Sequence, residues 1–182
     1  MVESRKHGRA IILEGRSVTS QPPGPAPDAS LDVVIAFWTD ALGDDPDDAE
    51  AYFLRGNAYS NQRRYQEAIE DLTEVIARQP ENAQARNNRG VAYLCIGENA
   101  LALEDCSRAA QLDPGYRDAF HNRALARAEL GDADGAIYDL TRALEIDPNF
   151  VPGYRHRGML LFRRGDRAAA DRDYARVRDL NG

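Results

Sequence analysis

Four arginines in this chain each precede an aspartate by 16 residues: Arg55 and Asp71, Arg89 and Asp105, Arg123 and Asp139, Arg157 and Asp173. A guanidinium can hold a carboxylate through two parallel hydrogen bonds, so the pairs could bind an ion, assist a reaction or brace a fold. Recurrence decides for the last, because a reaction centre is seldom written into every copy of a repeat. If each intervening stretch is a helical hairpin that turns midway, the two residues face each other at one height. The other reactive residue types are sparse. His7 lies near the start, while His121 and His156 are not a whole repeat apart and read as surface residues. Cys95 and Cys106 form neither a disulfide framework nor a metal spacing. There is no phosphate-cradling glycine loop and no nucleophile with an arranged base. The sequence points to no enzyme, no cofactor and no metal.

The elements that must position these pairs repeat every 34 residues, as Pro46, Pro80, Pro114 and Pro148 show. Gly56, Gly90, Ala124 and Gly158 keep the same phase, as do Ala68, Ala102, Ala136 and Ala170. Four units follow, 49–82, 83–116, 117–150 and 151–182, each with a first helix, a turn and a second helix ending near the proline. The turns carry Gly97-Glu98-Asn99, Gly131-Asp132 and Gly165-Asp166, but Gln62-Arg63-Arg64 in the first unit. One hairpin cannot bury its apolar face alone, so stacking must supply the core. The fold expected is all-α.

In front of the array, 28–48 reads as a half-repeat. Its helix, from Ser30 to Leu42 and capped by Asp28 or Ser30, puts Val34, Ile35, Trp38, Ala41 and Leu42 on one face. Residues 1–27 lie outside the array and end in a proline-rich linker; within them Ala10, Ile11, Ile12 and Leu13 could form a short sticky strand.

A net charge of −7 argues against a general nucleic-acid binder. Lys6 is the only lysine, which suggests a GC-rich, bacterial genome. No apolar run approaches a membrane span, and two unframed cysteines suit a reducing compartment, so the cytoplasm is the expected location. Charge is uneven: residues 28–54 hold eight acidic groups and no basic one, whereas 151–182 hold eight arginines and four aspartates. That asymmetry could favour head-to-tail association; solubility is the simpler reading.

The chain resembles the tetratricopeptide repeat family, whose pattern of aromatic, small, aromatic, alanine, bulky and proline positions is met by Tyr52, Gly56, Tyr59, Ala68, Leu72 and Pro80. It departs from that pattern where Arg86 and Arg127 replace aromatics and Cys106 a bulky core residue. The resemblance implies a right-handed α-solenoid of stacked helix-turn-helix hairpins over 28–182, with first helices lining a concave groove for a peptide or partner segment. Phe53, Asn57, Asn87, Asn88, Val91, His121, Asn122, Leu125, His156 and Met159 would face it. Asn88 and Asn122, one period apart, would stack as rungs offering donor and acceptor to a peptide backbone. A self-associating scaffold, or an accessory subunit anchored by its tail, is the alternative. Some members clamp acidic chaperone C-termini with two lysines, an arginine and two asparagines. Asn57 and Asn88 fill the asparagine places, but Phe53, Asp118 and Asn122 stand at the cationic ones, which excludes that partner class.

Overall fold

The structure, a computed structural model, describes residues 24–26 and 28–182. The apolar stretch 10–13 and most of the linker lie outside the described residues. These hold nine helices and no strand: α1 (Leu31–Asp44), α2 (Ala49–Asn61), α3 (Tyr65–Arg78), α4 (Ala83–Ile96), α5 (Asn99–Leu112), α6 (Arg117–Glu129), α7 (Ala133–Ile146), α8 (Val151–Arg164) and α9 (Arg167–Asn181).

Proline sets where the helices stop. A residue before proline is pushed out of the helical region; Asp45, Gln79, Asp113 and Asp147 accordingly share φ near −130° and ψ between 75° and 96°. The next first helix then starts at once. Asp48 accepts from the backbone N–H groups of Glu50 and Ala51, and Asn82 from that of Ala85. Ser30 occupies the corresponding place on α1 without a side-chain bond.

The helices pair as α2–α3, α4–α5, α6–α7 and α8–α9, and each hairpin packs its first helix on the second helix before it, with α1 serving α2. The core is therefore shared across units. Leu72, Val75 and Ile76 of α3 close over Ala85 of α4, and Ala109 and Ala110 of α5 over Ala119 and Phe120 of α6. Trp38 and Leu42 bury Ala51 in the same way. Full burial of a side chain such as Leu72 or Leu140 contributes about 1.5–3 kcal/mol. Close approach within a hairpin explains the small column: a Cβ on Gly90 would lie 2.6 Å from Cys106 Sγ.

Three of the four hairpin turns place a glycine at positive φ, namely Gly97, Gly131 and Gly165. The fourth places Arg63 there, at φ 61°, in the same column. A left-handed conformation costs a Cβ-bearing residue about 1–2 kcal/mol.

Directional contacts join what apolar packing leaves free to slide. Arg55 donates from Nε and Nη2 to the two oxygens of Asp71 at 2.8 Å each, and the same fork links Arg89 to Asp105, Arg123 to Asp139 and Arg157 to Asp173. The aspartates are between 0 and 4% exposed. The third nitrogen reaches backwards: Nη1 of Arg55, Arg89 and Arg157 donates to Thr39, Thr73 and Thr141 on the second helix of the preceding unit. Each of those hydroxyls donates to a carbonyl four residues earlier. One arginine thus staples three helices. The two arginines at aromatic places join in: Arg127 donates to Asp139 at 3.0 Å, and Arg86 stands 3.6 Å from Asp105.

Two outcomes are expected in urea titrations of the folded chain. Arg89→Ala, which leaves a buried carboxylate without its fork, destabilises by about 3–5 kcal/mol; an unchanged midpoint would contradict a structural role. Arg63→Gly relieves the strained turn and stabilises by roughly 0.5–1 kcal/mol after the entropy of glycine is counted. A lower midpoint would show that Arg63 earns its place by contacts.

Candidate functional site

The first helices α2, α4, α6 and α8 lie side by side, and their polar residues meet in a seam. Asn88 Nδ2 donates to Asn57 Oδ1 at 2.9 Å, and Asn122 Nδ2 to Asn87 Oδ1 at 2.9 Å. Asn87 Nδ2 turns to Asn88 Oδ1 at 3.3 Å and to the Tyr116 hydroxyl at 3.2 Å. Four amides on three helices form one hydrogen-bonded run. At its far end His121 Nε2 and His156 Nδ1 are 2.9 Å apart, their rings stacked with 5.0 Å between centroids. The ring of Phe150 meets His121 edge-on.

This arrangement differs from the expected one. Asn87, expected to face a ligand, is 4% exposed and spends its amide on neighbours, as a buried polar group must. Asn88 and Asn122 do not bond to each other. His121 and His156 are a half-buried pair, not isolated surface residues. The cause is geometric. Residues 34 apart hold equivalent places in successive units, but the bonded residues across neighbouring first helices are 35 or 31 apart. Equivalence and contact are different relations.

What stays open to a ligand is narrower. Asn57, Asn88 and Val91 line a pocket of about 300 Å³ with Ser60 and Asn61, one turn further along α2. Ser60 and Asn61 escaped the sequence reading, although their three- and four-residue spacing from Asn57 is the signal for a shared face. Phe53 instead packs on the core formed by Leu72 and its neighbours. Leu125 is half-buried, and Met159 is 37% exposed at the other end of the row.

Burial dominates the electrostatics of these side chains. Burial, followed by the neighbouring His156, pushes His121 down to about 4, and burial with the adjacent Arg155 lowers His156. Burial pushes the Cys106 thiol up to about 12. Among the described residues no group of three His, Cys, Asp or Glu is placed to hold a metal, and no helix is long and apolar enough to cross a membrane.

Stacked helical hairpins of equal length, small residues at the close approaches and a row of first helices presenting amides define a class: repeat solenoids that bind other chains. The chain belongs to the tetratricopeptide repeat family, whose models match residues 36–72, 53–117 and 117–150. No curated protein matches it. A solved structure of MamA is similar at 25% identity and a TM-score of 0.78, covering 83% of this chain and 88% of that one. YrrB, described as a tetratricopeptide repeat protein with an unusual peptide-binding site, shares the fold at 24% identity and a TM-score of 0.71, over 82% and 77%. The first such domain of Spaghetti (RPAP3), solved with the HSP90 peptide SRMEEVD, is 31% identical with a TM-score of 0.61, over 62% and 89%.

The histidine pair makes stability depend on pH. A folded pKa below the unfolded value of about 6.5 means that the unfolded chain binds protons first as pH falls. The contribution is complete above about pH 6.5 and is lost as pH drops towards 4, amounting to on the order of 3 kcal/mol at most for His121. Replacing both with asparagine repeats the Asn87–Asn122 contact and should flatten the urea midpoint between pH 7 and 4.5. A slope that survives the double change would assign it to other groups.

Proposed function

We propose that this protein is a non-catalytic interaction scaffold whose first helices hold an extended peptide or a partner segment, seated at Asn57, Ser60, Asn61, Asn88 and Val91. One observation carries the reading: the amides beside this pocket are already oriented by their bonds to one another. Each amide has two donor hydrogens and two acceptor lone pairs, and the Asn57–Asn88 contact uses only some of them. A peptide backbone meets groups whose freedom has already been lost, so less ordering entropy opposes binding. Val91 adds an apolar wall.

A non-catalytic role fits the same picture, because most of the reactive side chains of the array are committed elsewhere. Four aspartates are forked by arginines, Cys106 is buried, and the paired histidines hold each other. Both cysteines are free thiols, which supports a reducing, cytoplasmic setting. Neighbours of known structure support peptide or protein binding in general, with RPAP3 solved on an acidic peptide. The partner class here is different: Phe53, Asp118 and Asn122 leave no cation where an acidic terminus would need one.

Peptides selected from a displayed library and measured by fluorescence anisotropy test this. Asn57→Ala combined with Val91→Arg should weaken the selected peptides at least about tenfold, equivalent to roughly 1.4 kcal/mol, with the melting curve retained. SRMEEVD should show no saturable binding. Equal affinity of wild type and variant would move the site off this pocket.

A further inference from the structure

The two ends of the array carry exposed helix faces of opposite charge. On α8, Arg155, Met159, Phe162 and Arg163 recur at helical spacing on one exposed side, with Met159 37% and Phe162 56% exposed. Neither Arg155 nor Arg163 has an ion-pair partner among the described residues, whereas the arginines of the staples are fully engaged. The phase gives this face its place in the seam. Asn87 meets Asn122, and His121 meets His156, each 35 residues on. Arg155 holds the next place in that column and has no hydrogen-bond partner among the described residues.

On α1, the outward side carries Asp32, Val33, Ala36, Asp40 and Asp44, all exposed, with Val33 at 54%. Asp32 accepts from Gln62; Asp40 and Asp44 have no partner among the described residues. Both faces have the same plan, an apolar strip flanked by like charges. Arg155 and Arg163 are eight residues apart, as are Asp32 and Asp40, or about 12 Å along each axis. The charges are opposite and the intervals equal, so the faces match whether the helices run parallel or antiparallel.

We infer that α1 of one copy docks on the α8 face of a second copy, joining molecules head to tail. The two patches are at opposite ends and differ from each other, so the contact is heterologous and leaves a free end for the next molecule. Its area is that of one helix face on another, at the small end for a specific interface, and its charged rim makes it weaken with salt. The pocket at Asn57 and Asn88 is not part of the contact, so the outcome is independent of the peptide reading.

Light scattering of the full chain, between about 10 and 500 µM and at about 50 and 500 mM salt, tests the inference. The average mass should rise with concentration past that of a dimer without a plateau, and fall in high salt. Asp40→Arg/Asp44→Arg and Arg155→Asp/Arg163→Asp should each be monomeric alone, and mixing them should restore growth, because each then offers the charge the other lacks. Phe162→Ser should raise the concentration needed about tenfold. A monomer at every concentration, a mass that stops at a closed dimer, or assembly unmoved by either reversal would overturn it. Should a reversed variant lose helicity, the neutral pair Asp40→Asn/Asp44→Asn replaces it and must still raise the required concentration.

Discussion

A carboxylate enclosed between two helices has to be held by a cation, and that requirement fixes the register of every hairpin in this protein. Apolar packing is non-directional; Leu72 or Leu140 would tolerate small shifts along its neighbours. The arginine fork does not, because both oxygens must be met at once. A threonine hydroxyl on the preceding helix carries the constraint into the next unit. In the third unit, where Ser107 stands in the threonine column, the bond to the preceding helix is replaced by a second arginine, Arg127, on the same aspartate.

With the hairpins fixed in this way, the first helices are close enough for their polar side chains to reach one another. The seam follows from the stacking and is not an added device. Buried amides such as Asn87 must be satisfied, and the nearest partners are the amides and rings of the adjacent units. The result is a polar face ordered before any ligand arrives. Its two ends differ in chemistry: neutral amides beside a pocket near α2 and α4, and a histidine pair between α6 and α8.

Much of the fold was legible because period and phase are properties of the chain alone. The proline ruler located the second-helix ends, the 16-residue spacing located the forks, and Trp38 and Leu42 marked the buried side of α1. Contacts between units were less legible. The sequence lists equivalents 34 apart, but side chains meet their non-equivalent neighbours, so Asn122 was matched with Asn88 when its bond goes to Asn87. Arg86 and Arg127 read as departures from an aromatic pattern; only their distance to Asp105 and Asp139 shows that they reinforce the same pairs. The threonine column, Thr39, Thr73 and Thr141, was visible in phase but had no assigned partner until Arg55, Arg89 and Arg157 were seen to reach back.

The offset contact also bears on how such an array can gain or lose a module. Excising 83–116 would set Asn122 where Asn88 now stands against Asn57, and Thr73 where Ser107 now stands before Arg123. Every polar join would find a partner of the same kind. Excising 117–150 would instead bring Asn87 up to His156, an amide against an imidazole. The second module is interchangeable in its polar joins, while the third sits where the seam changes from amides to imidazoles.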